Sequence, residues 1–319
     1  MKQLKLIPLI ISCLLVSCDS SIDKPSIGPN NEVRFGSLKF VAPIGAQTLA
    51  FYNLGANPSF ETNANPQIIS SQFALGQKEM ILFDSITGLR SSMNNGKKYR
   101  LHRIVTNGNF FLVRINRDVM PENPYYVSFG EKLIPSLVVE YLYPETNFKY
   151  VGSASDVAGV LATGLHEGNP VDYVVIPEPA LYNVMHNANS NTYGKLEVIS
   201  SFREEFSQKT GMNGFPQAGV FIREDSYQQY QSFYDSLLDI LDQHIDMAIN
   251  NLDAVATTMD HQNSLNEQMT KFGFTSVIAK DVQTANNGFG LVLNDSNIDI
   301  NAFLRLLKLP EVAQDLINE

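Results

Sequence analysis

Thr210-Gly211-Met212-Asn213-Gly214-Phe215-Pro216-Gln217-Ala218-Gly219-Val220-Phe221-Ile222 is the stretch on which the fold turns. Gly211 and Gly214 let the chain bend, and Pro216 lacks the N–H that a strand interior needs, so a strand is predicted to begin just after the proline. Gln217 to Ile222 is then a short, mostly apolar run. Its adjacent small residues, Ala218 and Gly219, predict close approach by another backbone or by a ligand. A long amphipathic helix follows, with Tyr230, Phe233, Leu237, Leu241, Ile245 and Ala248 at helical spacing. The predicted strand therefore carries the chain from one body into another.

Upstream, apolar runs alternate with helix-like segments. Leu38 to Ala42, Glu79 to Phe83, Phe148 to Val151, Val171 to Ile176 and Leu196 to Ser200 are predicted strands. Helices are predicted from Gly45 through Tyr52, after the capping residues Asp84, Ser85 and Thr87, from Ser153 or Ser155 to Leu165, and from Pro179 to about Met185. Tyr99 to Thr106 and Phe110 to Ile115 are strand-like and are broken by Asn107-Gly108-Asn109, a candidate outbound crossover and hinge. Such alternation predicts an α/β protein with parallel sheets and helices on both faces. The last hundred residues read as mostly helical, with Met259, Met269 and Phe303 to Leu307 as core positions of later helices.

The 319 residues, 44% hydrophobic and 18% charged, are enough for two domains. With 23 basic against 33 acidic side chains, the net charge of −10 argues against nucleic acid as a partner. Both cysteines, Cys13 and Cys18, lie in the first twenty residues, so a later disulfide or cysteine nucleophile is excluded. Lys2 and Lys5 precede an apolar Leu6–Val16 segment that is short for a membrane span. Residues 1–17 are therefore predicted to be an export signal, and residues 18–32, with Pro25, Gly28 and Pro29, a polar tether.

Leu15-Val16-Ser17-Cys18 resembles a bacterial lipobox, which implies lipidation of Cys18 and anchoring at the extracytoplasmic face of the cell membrane; an ordinary signal peptide is the other reading. The Thr210–Ile222 stretch, together with Phe40-Val41-Ala42-Pro43-Ile44-Gly45-Ala46, Gly152-Ser153-Ala154-Ser155-Asp156-Val157 and Val171-Asp172-Tyr173-Val174-Val175-Ile176-Pro177-Glu178-Pro179-Ala180, resembles type II periplasmic solute-binding proteins of ABC importers. The similarity is to the branch binding nitrate, sulfonates, taurine and thiamine precursors. It implies a two-lobed α/β periplasmic-binding-protein fold, with residues 33–111 and 219–319 in one lobe, 112–218 in the other, and two crossover strands as hinge. It also implies a monomer that delivers a small polar or anionic organic solute to a permease and ATPase. Two alternatives stay open: an enzyme of thiamine-precursor or menaquinone synthesis on the same fold, and a surface lipoprotein that binds a macromolecule.

No catalytic or metal-binding constellation and no cofactor is read from the sequence. The five histidines, His102, His166, His186, His244 and His261, lack short metal-ligand spacing. Asp239, Asp242 and Asp246 read as a solvated helix face. In open α/β sheets, ligands bind beyond the carboxyl ends of the strands. Candidate ligand-binding residues there are Pro43, Gly45 and Ala46; Ser85 and Thr87; Gly152, Ser153 and Ser155; and Glu178, joined by Asn109 and Gln217 near the crossovers. Helix starts rich in hydroxyls and backbone N–H groups suit a polar or anionic group, although each such turn is equally well read as a cap. Glu178 has two readings: a carboxylate at the cleft that disfavours anions, or a solvated acid at a helix start. Arg103 and Arg114 lie near the outbound crossover and could add positive charge.

Overall fold

The computed structural model describes residues 36–53, 60–96, 98–117, 119–266, 269–285, 287–293 and 298–317. The predicted export signal, Cys18 and the tether lie outside these residues.

Ten strands form two mixed sheets of five. The first sheet contains β1 (Phe40–Pro43), β2 (Phe60–Asn63), β3 (Met80–Asp84), β4 (Tyr99–Thr106) and β12 (Ala218–Arg223), in the order β2-β1-β3-β12-β4. The second contains β5 (Phe110–Ile115), β6 (Tyr126–Phe129), β7 (Phe148–Val151), β10 (Tyr173–Pro177) and β11 (Leu196–Ser201), in the order β11-β5-β10-β6-β7. A small hairpin of β8 (Leu165–His166) and β9 (Asn169–Pro170) stands apart. The helices in chain order are α1 (Pro66–Leu75), α2 (Ser85–Asn94), α3 (Ile134–Leu142), α4 (Ala154–Thr163), α5 (Ala180–Met185), α6 (Phe202–Thr210), α7 (Glu224–Gln229), α8 (Gln231–Asn250), α9 (Leu252–Asn266), α10 (Met269–Phe272), α11 (Ser276–Thr284) and α12 (Ile300–Leu306).

Each sheet has a parallel half, where crossover helices connect the strands: β2-β1-β3 in the first and β10-β6-β7 in the second. The other half of each is antiparallel. β12 runs antiparallel to β3 and β4, and β5 antiparallel to β10 and β11. The reason is topological: β12 and β5 are the strands that enter a sheet from the other lobe. The predicted close approach at Gly219 is observed, since a Cβ there would overlap the Leu101 side chain and crowd the Arg103 carbonyl.

The predicted amphipathic helix is realised as α8 after the short α7. Phe233, Leu237, Leu241, Ile245 and Ala248 are buried, while Tyr230 stays exposed at its start. They pack on the outer face of the first sheet with Phe40, Phe51 and Phe60. The helix expected from Gly45 is a tight 3-10 segment, Ala46–Phe51, whose first turn is closed by the Thr48 N–H bonded to the Gly45 carbonyl. A second cluster joins the lobes: Phe110 lies against both Phe129 and Phe215, and Phe206 contacts Phe215 and Phe303 of α12. Asp242 departs from the solvated-face reading, because it pairs with Arg103 at 3.1 Å.

Candidate functional site

The chain crosses between the sheets at Asn107-Gly108-Asn109 and returns through Phe215-Pro216-Gln217. The crossings touch. The Phe215 N–H donates to the Asn107 carbonyl at 3.0 Å, and the Gln217 N–H donates to the Thr106 carbonyl at 3.0 Å. The Asn109 side chain binds onward to the Glu178 carbonyl at 2.9 Å. Both crossings thus form a hydrogen-bonded floor beneath the space between the sheets.

That space is a cleft of about 490 Å³. Its walls are built from the carboxyl ends of the parallel strands: Pro43 ending β1, Asp84 ending β3, Gly130 after β6, Gly152 after β7, and Pro177 ending β10 with Glu178 after it. Of the residues proposed from sequence, Pro43, Gly45, Ala46, Asn109, Gly152, Ser153, Ser155, Glu178 and Gln217 line it. Ser85 and Thr87 do not, and this is a correction. Ser85 is fully buried and its hydroxyl donates to the Pro216 carbonyl at 2.6 Å. Thr87 lies one turn into α2, where its N–H donates to Asp84 Oδ1 at 2.8 Å. Arg103 and Arg114 do not line the cleft either; they pair with Asp242 and Glu197.

The lining also holds residues that the sequence reading passed over. Phe83, Phe110 and Phe129 supply apolar wall, and Gln47 and Asn183 supply amides. Asp84 caps α2, and its second oxygen accepts the N–H of Ile134, the first residue of α3 in the other lobe, at 3.3 Å. Its place at the carboxyl end of β3, equivalent to Pro43 on β1, was the available signal. Burial pushes the Asp84 carboxyl up, and the Thr87 N–H and hydroxyl, the Ile134 N–H and the charge of Arg90 pull it back only in part.

Glu178 stands at a helix start and also borders the cleft, but it is not a solvated acid. Oε2 accepts the Tyr182 N–H at 3.0 Å and so satisfies a donor in the first turn of α5. The same side chain lines the cleft, and burial pushes its carboxyl up to about 7 despite that hydrogen bond and nearby His186. At the start of α4, Ser153 Oγ accepts the Asp156 N–H at 3.2 Å and donates to Asp156 Oδ2 at 2.7 Å. This helix start therefore already carries a carboxylate. Among the described residues no group of three His, Cys, Asp or Glu is placed to hold a metal ion, and no helix is long and apolar enough to cross a membrane.

No protein-family profile matches the chain, and no curated protein matches it in sequence. Solved structures do. An ABC transporter protein from Parabacteroides distasonis superposes with a TM-score of 0.63 at 15% identity, over 85% of this chain and 91% of that one. The alkanesulfonate-binding protein of Xanthomonas axonopodis pv. citri, bound to MOPS, gives 0.57 at 10% identity over 88% and 97%. A Candida albicans protein described as having the generic periplasmic binding protein fold gives 0.51 at 10% identity over 88% and 92%. Two mixed sheets, two touching crossovers and a cleft at the strand ends, together with these likenesses, establish that this chain has the two-lobed fold of the periplasmic solute-binding proteins of ABC importers.

Proposed function

We propose that the chain is the solute-binding component of an ABC importer, held at the extracytoplasmic face of the membrane by lipid on Cys18. One observation carries the reading: a cleft of about 490 Å³ gathers the carboxyl-terminal turns of both sheets above two adjoining crossovers. A volume of this order suits a small organic molecule. Residues 33–111 with 219–319, and residues 112–218, rotate about the crossovers to trap the solute, and a permease with its ATPase recognises the closed monomer. The work is binding and closure, without covalent chemistry.

The test is mass spectrometry of small molecules released when the purified protein is denatured, followed by scattering of the emptied protein with and without the recovered compound. A stoichiometric compound that shrinks the radius of gyration supports the reading; an empty extract, or an unchanged profile at saturation, rejects it. Anchoring is tested separately. Cys18→Ala should abolish acylation and partition into the aqueous phase of a detergent extract, and unchanged partitioning rejects the anchor.

A further inference from the structure

The charge of the cleft is informative about its ligand. Each wall contributes a carboxylate: Asp84 from the first sheet and Glu178 from the second. Among the described lining residues there is no Lys, Arg or His. Asp84 is occupied by its two backbone donors. Glu178 is not: Oε2 holds the Tyr182 N–H, whereas Oε1 accepts no hydrogen bond from any described residue. The group nearest to offsetting its charge is His186, whose Nδ1 is engaged with the Tyr182 carbonyl at 2.9 Å and whose ring stacks on Tyr182.

Two of the places where an anion would sit are engaged within the protein. The start of α4, which the sequence suggested for that role, carries Asp156 against Ser153. Gln217 Nε2 donates to Asn109 Oδ1, and Asn109 Nδ2 donates to the Glu178 carbonyl. An oxoanion entering this cleft would meet two carboxylates, and the groups that offset them, Arg90 for Asp84 and His186 for Glu178, do not line it, which is unfavourable at low effective dielectric.

We infer that the ligand presents a protonated nitrogen, an amine or an amidinium, to Glu178 Oε1, on a compact apolar body held between the phenylalanines of the two walls. The inference rests on the solute-binding reading of the cleft and deepens it. The cavity makes the site; the carboxylates set which charge it accepts. A charged donor completes the acceptor capacity that Tyr182 leaves open, and Phe83, Phe110 and Phe129 exclude water from around it.

The experiment compares matched probes by titration calorimetry at pH 8: benzamidinium and benzylammonium against benzenesulfonate and benzoate, on the emptied wild type and on Glu178→Gln. The glutamine keeps a carbonyl for the Tyr182 N–H, so the fold is retained, and circular dichroism checks this. The cations are expected to bind at least about tenfold more tightly than the anions, and the substitution to weaken the cations about ten- to a hundredfold. Tighter binding of the sulfonate or carboxylate, equal affinity of wild type and variant for the cations, or binding of neither charge class overturns the inference. None of these results rejects solute binding itself, which the released compound and its effect on scattering decide.

Discussion

Asn109 and Gln217 clasp each other across the two crossovers. The Asn109 backbone N–H donates to Gln217 Oε1 at 3.1 Å, and Gln217 Nε2 donates to Asn109 Oδ1 at 2.6 Å. One residue leaves the first sheet and the other returns to it, so the pair joins the outgoing and incoming chains at the cleft floor.

Breaking this clasp leaves polar groups unpaired where Asn109 is buried. Gln217→Ala is expected to lower unfolding stability by about 1–3 kcal/mol, read from urea denaturation. Gln217→Glu keeps the acceptor for the Asn109 N–H but loses the donor to Asn109 Oδ1, and adds a third carboxylate to the cleft, so its loss should be larger at pH 8 than at pH 5. Equal stability of wild type and Gln217→Ala at both pH values would show that water replaces the clasp without cost.

Glu178 should trade stability for function. Its carboxyl is raised from 4.5 to about 7, so the folded protein holds this proton more tightly than the unfolded chain. The contribution to stability is present in full below pH 4.5 and is lost as pH rises through about 7. Glu178→Gln should therefore stabilise the ligand-free protein at pH 8, on the order of 1–3 kcal/mol, with little change at pH 4.5. The figure is discounted for the side of the carboxylate open to the cleft. Asp84, also raised by burial, adds a loss of the same sign in wild type and variant alike. His102 and His244, lowered to about 4 by burial, lose stability in the opposite direction, as pH falls from 6.5. Only the difference between variant and wild type isolates Glu178, and a difference that does not change with pH rejects the assignment.

How far the sequence reached depended on whether the deciding contact was local. Tyr99–Thr106 and Phe110–Ile115 are observed with the predicted limits because Asn107-Gly108-Asn109 punctuates two β-rich runs. β2 and β6 went unread: each has four residues and depends on parallel partners distant in sequence, β1 for β2 and β7 with β10 for β6. α1 was missed although its signal was present, an Asn65 cap directly before Pro66. In the site, Ser153 behaved as the local reading expected. Ser85 did not, because its hydroxyl is claimed by Pro216, 131 residues away. Asp84 looked like an ordinary cap because its second bond, to Ile134, exists only once the lobes meet.

Gly214 should be the least replaceable glycine of the return path. Its φ is +72°, and a Cβ there would overlap the Asn107 carbonyl oxygen while crowding the Arg203 side chain. Gly211 has a similar φ of +77° but open space around it. Gly211→Ala should then cost only the left-handed backbone penalty, about 1–2 kcal/mol, whereas Gly214→Ala should cost more, because the obstructing atom is backbone and the Phe215–Asn107 hydrogen bond must shift. Comparable urea midpoints for the two variants would show that the crossovers are not held at this distance.

Tyr182 is positioned to control opening. Its hydroxyl donates from α5 to Asp281 Oδ2 on α11 at 2.6 Å, and α11 packs on the first-sheet core through Ala279 and Val282. Asp84 to Ile134 and Arg203 Nη1 to the Asn287 carbonyl, at 2.9 Å, are further links between the lobes. The tyrosine bond is solvent-exposed, so its contribution is expected at the low end for a hydrogen bond to a charged group. Losing it should lower the ratio of closed to open forms modestly. Tyr182→Phe removes the hydroxyl while keeping the ring against His186. The expected result is a larger radius of gyration for the ligand-free variant, weaker ligand affinity by a similar factor, and little change in urea midpoint, because the bond joins the lobes and does not hold either core. Asp281→Asn, which still accepts from the hydroxyl, should have a smaller effect. If Tyr182→Phe scatters like wild type and binds ligand equally well, the bond does not set the balance between open and closed forms, leaving that role to the links at Asp84 and Arg203.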